Sequence, residues 1–262
     1  MSAMTTFDPS TRSVPRFGAI SPTLFGIELR RMLRNRRTII FALIFPGAMF
    51  FAIGSSQSYA TERVGVGNVA AYIMASMALY GAALTAASAG ASVAIERAQG
   101  WSRQLRLTPL SPVAYVVLKA LVALVLGAIA VTVVNICGLI QGKPDMPVSA
   151  WIGCALLAVG CTLVFAALGV FVGYLVPGEN AMQILGPGLA ALAFLGNVFI
   201  PITEGTTMWW AASFTPMFGV AEISRWPLTQ QLDWYSLVNA VAWLAIFLGG
   251  AAWRMSKDTS RV

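Results

Sequence analysis

Glu96, Arg97, Arg103 and Arg106 are the charged groups of one short stretch, Glu96 to Pro112, set between two long apolar runs. Trp101, Leu105 and Thr108 recur at i, i+4 and i+7 and share one helical face, while Arg103 and Arg106 take the other. Thr108 precedes Pro109, which biases it out of the α region and ends a helix there. Ser111-Pro112 then reads as a helix start, a capping hydroxyl followed by proline in the first turn. The spacing predicts a short amphipathic helix held between two long ones. It does not predict a catalytic set. The chain has no histidine, and no nucleophile is accompanied by a base. Gly142-Lys143 lacks the rest of a phosphate-binding loop. Cys137, Cys154 and Cys161 lie in apolar runs without metal-ligand spacing and read as small buried hydrophobes. The chain is expected to be no enzyme and to bind no nucleotide, metal or cofactor of its own, so any uphill work falls to another polypeptide.

The elements that position this stretch follow from composition. Of 262 residues 58% are apolar and 10% charged, against about 25% charged in soluble domains. Several charge-free runs exceed the ~20 residues that cross a bilayer core. The expected fold is all-α, a polytopic membrane protein with six transmembrane helices at about 38–58, 66–95, 113–140, 150–176, 181–203 and 236–253. Residues 1–20 form a polar tail, 21–255 the membrane domain and 256–262 a second tail. From Ser21 to Arg37, Phe25, Leu29, Met32 and Leu33 line one side of a helix and Arg30, Arg31, Arg34, Arg36 and Arg37 cover the rest. That pattern predicts an N-terminal amphipathic helix lying in the membrane interface, its arginines toward anionic lipid headgroups. Pro46 is expected to kink the first span, and Gly186-Pro187-Gly188 the fifth. Gly169 and Gly173 form a G-x-x-x-G contact signal in the fourth. Lys119, near the end of the third, reads as an anchor that snorkels to solvent. The segment from Thr203 to Tyr235, rich in Trp and Phe and broken by Pro216 and Pro227, is expected to lie along the outer interface or dip partly into it as one or two short helices.

Six spans put both termini on one side. With the N-terminus inside, the inner segments hold 14 of the 17 Arg and Lys residues, which places both termini in the cytoplasm of a bacterial cell. The net charge of +7 then reflects topology, and no basic stretch is interleaved with stacking aromatics, so no nucleic-acid partner is expected.

This arrangement resembles the permease subunits of type-2 ABC transporters, and within them the daunorubicin-resistance-type drug exporters of actinobacteria. The residues that carry the resemblance are Glu96-x-x-x-Gly100-x-x-x-x-Leu105-Arg106-x-Thr108-Pro109-Leu110-Ser111 with Tyr115 and Lys119 after it, and Gly196-Asn197-Val198-Phe199-Ile200-Pro201 followed by Pro216 and Arg225. The resemblance implies that the stretch with Glu96, Gly100, Trp101, Arg103, Leu105, Arg106, Thr108 and Pro109 is a cytoplasmic coupling helix for a separate ABC ATPase. It implies two ATPase copies that bind ATP and Mg, and a second permease copy or close homologue. It also implies export of cargo along a path lined by spans one, two and five. Trp101 and Leu105 would anchor the helix, Arg103 and Arg106 would meet acidic groups on the ATPase, and Glu96 would pair with a nearby arginine. On the implied path Phe45, Met49, Tyr72, Met74, Met77, Tyr80, Phe194 and Asn197 offer aromatic, methionine and small polar surface without fixed charge. Such a surface suits a hydrophobic or amphipathic cargo, whether drug, antibiotic or lipid-like. Two alternatives are a secondary transporter, which would place ionisable residues inside the spans, and a non-transporting scaffold, which would leave the capped inner helix unexplained.

Overall fold

Asn68 begins the helix on which the others are assembled. Its extended backbone and its Oδ1, which accepts from the Ala71 N–H at 2.9 Å, satisfy the first free amides of the helix Val69–Ala98. The computed structural model describes residues 22–36, 40, 44–56, 60–100, 112–176, 178 and 180–259. In chain order its helices are α1 (Pro22–Leu33), α2 (Phe45–Ser56), α3 (Val69–Ala98), α4 (Pro112–Gln141), α5 (Val148–Leu175), α6 (Asn180–Leu195), α7 (Thr207–Ser213), α8 (Pro216–Thr229) and α9 (Trp234–Thr259). A two-stranded hairpin, β1 (Arg63–Val64) and β2 (Gly67–Asn68), precedes α3 and pairs antiparallel. Among the described residues four helices are long and apolar enough to cross a membrane, α3, α4, α5 and α9.

α3 is rich in Ala, Gly and Ser, and small side chains let neighbouring backbones come close. α5 uses this fully. A methyl group on Gly90 would stand 2.3 Å from the Ala166 carbonyl oxygen, and one on Gly169 would stand 2.1 Å from that of Ala87. Gly173 lies against Ala91, so the G-x-x-x-G pair of α5 is a helix contact and its partner is α3. α4 packs on another side of α3, with Gly138 against Met74, and α2 packs on both α3 and α4. Together these helices bury α3 along most of its length. The outward faces of α4, α5 and α9 instead carry exposed Leu139, Ile140, Leu156 and Val241.

The bundle has two ends. One carries the last turn of α3, the start of α4 and the last turn of α5, and is called here the Glu96 end. The other carries Asn68, the last turn of α4, the first of α5, and α8, and is the Arg225 end. α8 does not lie on the surface. Met217, Phe218, Val220, Ala221, Ser224, Arg225 and Leu228 are all buried, and the helix packs on α3, α5, α6 and α9. Gly219 permits this, since a Cβ there would meet the Ser236 carbonyl oxygen at 2.5 Å. α7 keeps Trp209 buried against Phe218 and Tyr235 and leaves Trp210 and Phe214 exposed.

Hydropathy and structure part at the end of α6. The fifth apolar run continues past residue 200, yet α6 stops at Leu195 because Asn197 takes a left-handed conformation with φ 61°. The first expected span lies partly on 38–39, 41–43 and 57–58, outside the described residues; α2 is its described helix, starting one residue before Pro46.

Candidate functional site

α1 presents Phe25, Glu28, Leu29 and Met32 to the bundle, the i, i+3, i+4, i+7 stripe of an amphipathic helix. Three members of that stripe are apolar. The fourth, Glu28, meets Lys119 of α4, whose ammonium is almost fully buried. Lys119 also pairs with Glu96 on the last turn of α3 and donates to Ser92 Oγ at 2.8 Å. Glu96 is itself 3% exposed, and its carboxylate accepts from Arg31 of α1, Tyr115 of α4 and Lys119 together. Arg31 closes the ring by donating to Glu28 at 2.8 Å. Burial works against the Arg31 charge, yet Glu96 and Glu28 outweigh it and hold the guanidinium above the ordinary arginine range.

The result is a balanced set of two carboxylates and two cations that joins α1, α3 and α4. Balance matters here, because an unpaired charge at this depth would cost several kcal/mol, roughly 3–5 when one partner of a buried pair is removed. One residue along, Arg97 turns to α5. It donates to the carbonyl oxygens of Gly173 at 3.2 Å and Tyr174 at 3.4 Å, and its guanidinium lies 5.0 Å from the Tyr174 ring centroid. Those carbonyls end α5, where the helix dipole favours a cation.

α3 closes immediately after this. Gln99 N–H bonds the Ile95 carbonyl at 3.0 Å and Gly100 N–H that of Arg97 at 3.0 Å, and Gly100 adopts φ 72°. No atom crowds a Cβ built on Gly100, so glycine is required by the backbone angle alone. Trp101, Arg103, Leu105, Arg106, Thr108 and Pro109 lie outside the described residues. The flanks of their segment are nonetheless fixed: Glu96 stands just before it, and Tyr115 and Lys119 just after it bind the same carboxylate. Arg30, Arg31 and Arg34 sit on the exposed side of α1 and Phe25, Leu29 and Met32 on its packed side. Lys119, expected to reach solvent, is sealed instead.

At the Arg225 end a second polar cluster holds α3. Arg225 is fully buried, with Nη1 donating to the Asn197 carbonyl oxygen at 2.7 Å and Ser76 Oγ at 3.1 Å, and Nη2 to Glu222 at 2.7 Å. Its guanidinium also lies 4.4 Å from the Tyr72 ring centroid. Of the eight residues named for a path, Tyr72, Tyr80, Phe194 and Asn197 converge here, with Tyr80 and Phe194 each in contact with Phe199. Met77 is buried one turn from Tyr80 on α3, whereas Phe45 and Met49 sit apart on α2.

Glu28, Ser92, Ser76 and Glu222 belong to these clusters without any signal strong enough to single them out beforehand. Glu28 alone left a trace, as a carboxylate on an otherwise apolar stripe. Among the described residues no group of three His, Cys, Asp or Glu side chains is placed to hold a metal.

Comparison with known proteins gives two findings. The ABC-2 type transporter family profile matches residues 22–229. YvfS of Bacillus subtilis (strain 168), named for a transport-permease role, is 25% identical over 228 residues, covering 84% of this chain and 91% of its own length. No solved structure matches.

Proposed function

The chain belongs to the ABC-2 type transporter family, and from that premise we propose that it is the membrane-spanning permease subunit of an ATP-driven exporter. In this proposal it moves a hydrophobic or amphipathic cargo out of the cytoplasm or the inner leaflet. Two copies of a separate ATPase bind ATP and Mg, and two permease chains pair around the cargo. Each chain crosses the bacterial cell membrane six times with both termini in the cytoplasm. α2 and its flanking residues make the first crossing and α6 the fifth. The Glu96 end then faces the cytoplasm, in keeping with the arginines of α1, Arg97, Arg254 and Lys257 gathered there.

One observation carries the proposal: a single carboxylate, Glu96, just before the segment 101–111, binds Tyr115 and Lys119 just after it and Arg31 on α1. If an ATPase grips 101–111, its displacement reaches α3 and α4 together through Glu96, Tyr115 and Lys119, and α1 through Glu28 and Arg31. Rigid helices pass on such a displacement without absorbing it. α3 then carries it to the far end of the bundle. Arg103 and Arg106 supply charge toward the ATPase, while Trp101 and Leu105 seat the helix.

A secondary transporter fits less well. Between Ser76 and Ser92 α3 carries no charge, nor do α5 and α6, and among the described residues the buried charged groups Glu28, Glu96, Lys119 and Arg225 sit paired at the two ends, where they do not form a relay across the middle. The test is co-purification of this chain with candidate ABC ATPase subunits that have no spans of their own, followed by reconstitution in lipid vesicles. ATP hydrolysis stimulated by a hydrophobic compound, with vectorial movement of that compound, is expected. No association, or hydrolysis indifferent to every such compound, would overturn the proposal.

A further inference from the structure

α6 ends in a turn that is pinned from three sides. The Asn197 backbone is left-handed, its Nδ2 donates to Glu222 at 2.9 Å, and its Oδ1 accepts from the Ile202 N–H at 2.9 Å. Its carbonyl oxygen takes the Arg225 guanidinium. Val198 and Phe199 N–H groups both return to the Ala193 carbonyl, at 3.1 and 3.3 Å. This turn swings Phe199 between two rings, Tyr80 of α3 at 4.8 Å and Phe194 of α6 at 4.9 Å between centroids, both edge-on. The ring of Phe199 therefore bridges α3 and α6, and Asn197 decides where it points.

We propose that Arg225 is a positioning residue for transport: acting through Asn197, it keeps Phe199 wedged between Tyr80 and Phe194 and so closes the cargo path at this end. The assignment rests on the exporter reading above. The partners of Arg225 are unequal. Toward α8 and the end of α6 it makes a charge-assisted bond to Glu222 and a short bond to a backbone carbonyl; toward α3 its partners among the described residues are the Ser76 hydroxyl and the face of Tyr72. The weak seam therefore runs between α3 and the Asn197 turn. A shift of α3 parts that seam while Arg225, Glu222 and Asn197 stay together, and Phe199 loses the Tyr80 ring. Lysine cannot replace this arrangement, because one ammonium does not present two nitrogens in the planar fork that serves Asn197 and Glu222 at once.

The test uses the full complex in vesicles, with 4-fluorophenylalanine at position 199 so that the wedge keeps its ring. A water-soluble gadolinium chelate is added on the side that the Arg225 end faces, and its enhancement of ¹⁹F relaxation is read without ATP. Parent protein is expected to show little enhancement and a ring-shifted resonance. Arg225→Gln and Arg225→Lys are expected to raise the enhancement at least fivefold, and Ser76→Ala about twofold. In transport assays Arg225→Lys is expected to lower cargo moved per ATP without changing the KM for cargo, which a merely structural loss would not do. Unchanged enhancement in a folded Arg225→Gln protein overturns the assignment. If that variant does not accumulate, unchanged enhancement in Ser76→Ala does so. The resonance is measured without ATP turnover, so a failed exporter reading, seen as cargo-indifferent ATPase, is distinguishable from a failed latch.

Discussion

The two polar clusters on α3 lie 20 residues apart, Ser76 to Glu96, about 30 Å along a helix and comparable to the thickness of a bilayer core. They hold the same helix by different means. The Glu96 cluster is made of side chains that pair with side chains, two acids against two cations, and Glu96 alone has three charged or phenolic donors. Such a cluster can exchange partners as α1, α3 and α4 shift, because each acid keeps a cation within reach. The Arg225 cluster has one cation, one acid and a backbone carbonyl fixed in a left-handed turn. It cannot exchange partners; it holds or it breaks. A helix with an adaptable grip at one end and a brittle one at the other can move in the first place and switch in the second. Between them stands the backbone contact of Gly90 and Gly169, nearer the Glu96 end.

Breaking the adaptable grip gives the largest expected effect on stability. Lys119→Met leaves the two carboxylates Glu28 and Glu96 with Arg31 as their shared cation and is expected to cost about 3–5 kcal/mol, read as a fall in thermal midpoint in detergent. Adding Glu28→Gln to it is expected to restore part of the loss, since the two act in one network. If the double variant falls by the plain sum of the singles, the cluster does not work as a unit. Gly169→Ala attacks the contact between the grips. Its methyl would stand 2.1 Å from the Ala87 carbonyl oxygen, and overpacking of this kind costs about 1–3 kcal/mol in the same measurement. Gly100→Ala is expected to cost about 1–2 kcal/mol, because an L residue must hold φ 72° there; the space around it is open, so no clash adds to that. The smallest effect belongs to Arg63, whose pair with Asp145 at 3.4 Å is exposed on both sides. Arg63→Ala is expected to shift stability by less than about 0.5 kcal/mol. A larger change would mean that the hairpin, and not the buried arginine, secures the Arg225 end.

Much of this framework was legible in the sequence, for physical reasons that also mark where legibility stops. Pro112 and the long charge-free runs set helix starts and lengths locally, so α3, α4 and α5 fall within a few residues of their expected bounds, whereas Asn68 passed without notice as a cap. Gly169 and Gly173 announced a contact but could not name its partner. Lys119 looked like a snorkelling anchor, since nothing nearby in the chain offers it a carboxylate. Glu28 and Glu96 arrive from 91 and 23 residues away. Arg225 stood out through the resemblance, yet counted as an outer charge, because its burial depends on α8 being embedded, which Gly219 and Gly153 permit through contacts with Ser236 and Pro227. Apolar residues continue beyond Leu195, and only the left-handed Asn197 ends α6 there. Trp101 to Ser111 stand on sequence alone.

The most direct test of the central claim, that 101–111 is the handle through which an ATPase drives this permease, is the Arg103→Glu, Arg106→Glu double variant in the reconstituted complex. Cargo-stimulated ATP hydrolysis is the quantity to measure, in parent and variant at equal permease content. A fall of at least tenfold, with the variant permease as thermally stable as the parent, is the expected result. Unchanged ATPase binding and unchanged stimulation by cargo would contradict the claim.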